Sequence, residues 1–96
     1  MSNMKAEPLL QERRVLAEDS FVELVVWQVP APVAGSTHGF KYRLALVVKG
    51  SCLLRYDNES GKGDHKHLHG VETPYAFKSP ARLLTDFWAD VDRWRS

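Results

Sequence analysis

The sequence predicts an α+β fold, an antiparallel β-meander of four to five strands with a C-terminal amphipathic helix packed on one face. Three observations carry this. Residues 21–29 and 41–48 are dense in β-branched and aromatic side chains, as strands are. Lys49-Gly50 is followed at once by a further apolar run at 52–57, which joins two strands as a hairpin. After Ser79 the apolar residues change from period two to helical spacing. With 96 residues, the chain is one domain, 1–96, because so short a sequence has too little apolar surface for two independent cores.

Residues 1–3 precede a second methionine and read as a flexible lead-in. Residues 9–16 mix apolar and charged side chains behind Pro8, which suits an edge strand. In the strand at 21–29, Val22, Leu24 and Val26 share one face, and Phe21, Glu23, Val25 and Trp27 the other. Both faces are largely apolar, which places this strand inside the sheet. Residues 30–39 hold two prolines and two glycines and form a long loop, positioned to serve as a lid or rim; His38 within it is given no role.

The strand at 41–48 sets Tyr42, Leu44, Leu46 and Val48 against Arg43, Ala45 and Val47. In the strand at 52–57, Cys52, Leu54 and Tyr56 oppose Leu53, Arg55 and Asp57, with Cys52 read as an inert core residue. Residues 58–63 form a loop, 65–69 resume as a strand, and 75–77 form a last short one. Ser79 is an N-cap, Pro80 suits the first helical position, and Leu83, Leu84, Phe87, Trp88, Val91 and Trp94 recur on one side. Arg82, Asp86, Asp90 and Arg93 make a polar stripe read as a solvated face.

Composition bounds the function. At 44% hydrophobic and 26% charged, the chain is globular rather than disordered. A net charge of +1 gives no global argument for nucleic-acid binding, so any such case rests on local clustering. The single cysteine, Cys52, excludes an intramolecular disulfide and a CxxC motif. With no signal-like N-terminus and no membrane-length apolar run, a soluble cytoplasmic protein is expected, with no membrane partner. Homodimerisation would supplement so small a core.

Residues 55–70 concentrate the chemistry, with three histidines, two lysines, an arginine and three carboxylates. If the return strand is extended, His65, His67 and His69 share one face while Lys66 and Leu68 take the other. With Arg55, Lys62 and Asp64 nearby, these residues suit RNA cleavage without a metal or other cofactor. One histidine takes the 2′-hydroxyl proton, a second protonates the leaving oxygen, and a cation stabilises the phosphoryl charge. A metal site is the competing chemistry, since imidazoles at i and i+2 can ligate one ion with Asp57 or Asp64; the adjacent lysines disfavour a dication. A polar hairpin tip with no function competes with both. Gly61-Lys62-Gly63 lacks the spacing of a P-loop, and Asn58-Glu59-Ser60 is a sequon only in a secreted protein.

Three further stretches accompany these residues: 40–44 (FKYRL), 74–77 (PYAF) and 86–91 (DFWADV). Together with Arg55-Tyr56-Asp57-Asn58 and Gly61-Lys62-Gly63-Asp64-His65-Lys66-His67, they resemble the TumE-type toxin family, from about Val15 onward. These are small bacterial and archaeal proteins described as the toxin half of type II toxin–antitoxin pairs. The resemblance implies a protein neutralised by a separate antitoxin, typically a DNA-binding regulator encoded beside it. It supplies no reaction, and it ranks His65 and His67 above His69.

The expected function is thus a toxin acting on RNA. His65 and His67 are its acid and base, Lys62 and Arg55 stabilise phosphate charge, and Asp57 or Asp64 orients an imidazole. The alternative is a non-catalytic binding or regulatory module using the same surface, with a metal-dependent hydrolase third.

Overall fold

The computed structural model describes residues 5–96, and the expected lead-in at 1–3 lies outside them. Among the described residues six strands form one antiparallel sheet in sequence order. They are β1 Glu7–Ala17, β2 Ser20–Gln28, β3 Phe40–Val48, β4 Ser51–Glu59, β5 Gly63–Leu68 and β6 Val71–Pro74, followed by helix α1 Pro80–Arg95. The meander with a covering helix is the expected architecture, and the sheet exceeds the expected four to five strands. β1 accommodates Pro8 because it is an edge strand with a register shift between Pro8 and Leu10.

The last strand differs in position from the expected 75–77. His69 at φ 51° and Gly70 at φ 81° make a left-handed two-residue turn, so the chain returns to the sheet already at Val71. His69 therefore belongs to the turn and leaves the face shared by His65 and His67. Residues 75–77 run off the sheet edge and pack inward instead: Tyr75 OH donates to Asp86 at 2.6 Å, and Phe77 stacks on His38 at 3.8 Å.

Helix α1 covers one face of the sheet. Its stripe of Leu83, Phe87 and Val91 meets Val22, Leu24 and Val26 of β2, Leu44 and Leu46 of β3, and Leu54 and Tyr56 of β4. Ser79 caps the helix by accepting a 3.0 Å bond from the Arg82 N–H, and Arg93 and Arg95 occupy the last turn, where the helix dipole favours cations. Two expectations change here. Asp90 is buried rather than solvated: it accepts from Tyr56 OH and from Lys66 Nζ at 3.0 Å, and also pairs with Arg93. Cys52 is exposed rather than core, since it opens β4 beside a register shift between Leu46 and Val47.

The loop at 29–39 is tied down at both ends and at its middle. Val29 N donates to Gly39 O at 2.9 Å, and Gly61 N donates to Ala34 O at 2.6 Å. Where the loop meets the β4–β5 connection, Gly35 and Gly63 bring their backbones together; a Cβ on Gly63 would lie 2.8 Å from Gly35 O. Among the described residues no helix is long and apolar enough to cross a membrane.

Candidate active site on the open face of the sheet

The face opposite α1 is built from cross-strand rows. In an antiparallel sheet, residues directly opposite each other project to the same side and lie about 4.5–5.5 Å apart. One row runs Arg13, Glu23, Ala45, Arg55, His67, Glu72; the next runs Gln11, Val25, Arg43, Asp57, His65, Pro74. Strand register alone thus sets Arg55 beside His67 and Asp57 beside His65.

The side chains complete the arrangement. Asp57 lies between a cation and an imidazole, with Oδ2 2.9 Å from Arg55 Nε and Oδ1 2.7 Å from His65 Nε2. His65 Nδ1 lies 3.1 Å from the Gly63 carbonyl, and the His65 and His67 rings meet edge to face at 4.9 Å. His67 Nε2 stands 3.6 Å from Glu72 Oε1. The Asp57 and His65 side chains are only 8% and 4% exposed, whereas His67 keeps 25%.

Short distances do not make these directed bonds. Arg55 Nε, Asp57 Oδ1, His65 Nε2 and His67 Nε2 are all buried without a hydrogen bond of acceptable angle. Buried polar atoms are paired in most folded proteins, so four such atoms in one cluster mark a place where scaffold needs do not explain the side chains. Asp57, His65 and His67 each offer one ligand atom, all within 4.8 Å of one another, a spacing that suits a metal ion.

Beside this cluster the open face dips into a concavity of about 280 Å³ lined by Trp27, Lys41, Arg43, Arg55 and Asp57 among others. Its lining sets Lys41, Arg43 and Arg55 against Asp57 and Glu59, a small local excess of positive charge.

Of the six residues singled out from sequence, Arg55, Asp57, His65 and His67 converge. Lys62 and Asp64 do not join that cluster, although both line a shallow hollow with His65 and Glu72. Lys62 is exposed at the hairpin tip, 3.7 Å from Glu59. Asp64 projects to the opposite face, where it accepts from Ser36 Oγ at 2.5 Å and Tyr42 OH at 2.6 Å and meets His38 Nε2 at 2.6 Å. His38, unassigned from sequence, is a loop anchor: Nδ1 accepts from Phe40 N at 3.2 Å, which leaves Nε2–H to donate to Asp64. Burial works to raise the Asp64 pKa, but the bonds from Ser36, Tyr42 and His38 outweigh it and hold the carboxyl below its usual value. Burial, and then the bond to Asp64, pushes the Tyr42 phenol far up, so it stays a donor.

Sequence reasoning passed over Glu72, Lys41 and Arg43. Period-two parity puts Arg43 on the open face, but only the pairing of β3 with β4 sets it opposite Asp57.

A family model described as Toxin TumE matches residues 5–95. The chain belongs to the TumE toxin family. That match spans both strands of the His/Asp/Arg cluster as well as the covering helix, so the TumE region includes the whole candidate site. No curated protein and no solved structure matches the chain significantly.

Proposed function

We propose that this TumE-family toxin is a ribonuclease held in check by a separate antitoxin protein. The observation that supports this best is the convergence of Arg55, Asp57, His65 and His67 beside a trough that carries Lys41 and Arg43 on the open sheet face. Cleaving an RNA phosphodiester requires a proton to leave the attacking 2′-oxygen and another to reach the leaving 5′-oxygen, and charge on the phosphoryl group to be neutralised. Arg55 serves the last need, since it sits on a rigid strand at the edge of the trough. The imidazole–carboxylate cluster serves the proton transfers, with His67 its most open member. Lys41 and Arg43 extend the positive lining for the flanking phosphates, and Trp27 offers a ring on which a base can stack.

Induced expression and RNA digestion test this together. Wild-type protein should arrest growth and cleave RNA. His67→Ala and Arg55→Ala should each slow cleavage by about 10²-fold or more and relieve the arrest. Equal arrest by wild type and both variants would remove the catalytic reading and leave the surface as a binding module.

A further inference from the structure

We propose that Asp57, His65 and His67 hold one divalent transition-metal ion, bound through Asp57 Oδ1 and the two imidazole Nε2 atoms. Donor type and surroundings both point this way. His65 Nδ1 faces the Gly63 carbonyl at 3.1 Å, and donating its proton there leaves Nε2 as a lone-pair atom 2.7 Å from Asp57 Oδ1. An imidazole nitrogen and a carboxylate oxygen so close in a buried site need a proton or a cation shared between them, and Arg55 reaches only the other carboxylate oxygen. Backbone-carbonyl anchoring of the distal ring nitrogen is how metal-bound histidines are commonly fixed in tautomer and orientation.

The third donor and the outer shell agree. His67 Nε2 is buried and without a directed partner, and Asp57, His65 and His67 each offer one ligand atom within 4.8 Å of the others'. An ion about 2.0–2.2 Å from each would draw the donors to roughly 3–4 Å separations, a small adjustment. Arg55 Nε lies 2.9 Å from Asp57 Oδ2, so it steadies the carboxylate through the oxygen that is not a ligand. Glu72, at 3.6 Å from His67 Nε2, stands at the rim as a further oxygen.

Two nitrogens and one oxygen select a borderline first-row ion such as Zn²⁺ or Fe²⁺ over Mg²⁺ or Ca²⁺, which favour all-oxygen shells. Three protein ligands leave coordination positions open, the arrangement of reactive rather than purely structural sites. The ion's catalytic use rests on the ribonuclease reading; its binding does not. In that use the ion would polarise a phosphoryl oxygen and lower the pKa of a bound water, meeting the proton-removal need assigned to the cluster.

Calorimetric titration of the chelator-treated full chain with Zn²⁺, and the visible spectrum with Co²⁺, test the site directly. One saturating equivalent per chain is expected, together with a thermal stability increase on loading. His65→Ala, His67→Ala and Asp57→Ala should each weaken binding by more than about 100-fold, beyond what loss of an outer-shell partner costs. His69→Ala and Cys52→Ser should leave it unchanged. Should His65→Ala fail to fold, His67→Ala carries the test, because its side chain is a quarter exposed. Absence of saturable binding, or binding that survives His67→Ala in a folded protein, overturns the proposal. Saturable binding without RNA cleavage keeps the ion and removes the ribonuclease; cleavage by metal-free protein that binds no ion does the reverse.

Discussion

Asp64 accepts from two hydroxyls and an imidazole on the loop side of the sheet, and Asp90 is buried among Tyr56, Lys66 and Arg93 beneath the helix. Burial acts to raise the Asp90 pKa, but bonds from Tyr56, Lys66 and Arg93 prevail, and like Asp64 it titrates below its usual range. As pH falls, the unfolded chain therefore takes up these protons first. The stability they contribute is complete above about pH 4 and is lost as pH drops toward the folded values. Urea unfolding between neutral and acid pH should show this fall, with a shallower slope in Asp64→Asn. At neutral pH that variant should lose about 1–3 kcal/mol, because its donors no longer meet a charged acceptor.

The two faces of β5 were readable from parity, since His65 and His67 are odd-numbered and Asp64 and Lys66 even-numbered. Applied strictly, that rule removes Asp64 from the histidine face. What parity cannot supply is the register that brings Asp57 to His65, or the turn that takes His69 out of the strand.

At the scale of elements, the β4–β5 hairpin and the loop at 29–39 stabilise each other. Gly63 has φ 76°, and its backbone touches that of Gly35 across the contact. Gly63→Ala adds a Cβ both in a left-handed conformation and against Gly35 O, so it should cost about 2 kcal/mol and lower the melting temperature. Gly61→Ala has the positive φ of 85° but open space around it, and should cost less. A thermal melt of the pair separates steric contact from backbone preference. Loss of stability equal in both would refute the contact's importance. The strands at 21–29 and 41–48 and the helix were legible because period two and period 3.6 are strong signals. β6 was not, since its four residues are all exposed and carry no alternation of burial. Asp90 escaped notice because its partners Tyr56 and Lys66 lie more than twenty residues away.

For the whole molecule, the asymmetry between faces matters more than the net charge. One face is sealed by α1, while the other presents Lys41, Arg43 and Arg55 around a trough. If RNA lies there, only about three phosphates are neutralised, and log affinity should fall with log salt at a slope near −2, or 0.7 per contact. Binding of a 2′-O-methylated, uncleavable RNA over a salt series measures this. A much steeper slope would mean that cations beyond the trough take part. Little of this polarity is visible in composition, because a charge of +1 averages the two faces together.

The strand order of the sheet also bears on how fast the protein forms. Every strand pairs with the one next to it in the chain, so the sheet can close hairpin by hairpin without a long loop to shut. Domains dominated by such local contacts reach the native state sooner than sheets with distant pairings. Arg55, Asp57, His65 and His67 all lie on one hairpin, and their assembly is a local kinetic event. The helix and its buried stripe can join the sheet afterward without rearranging the reactive cluster.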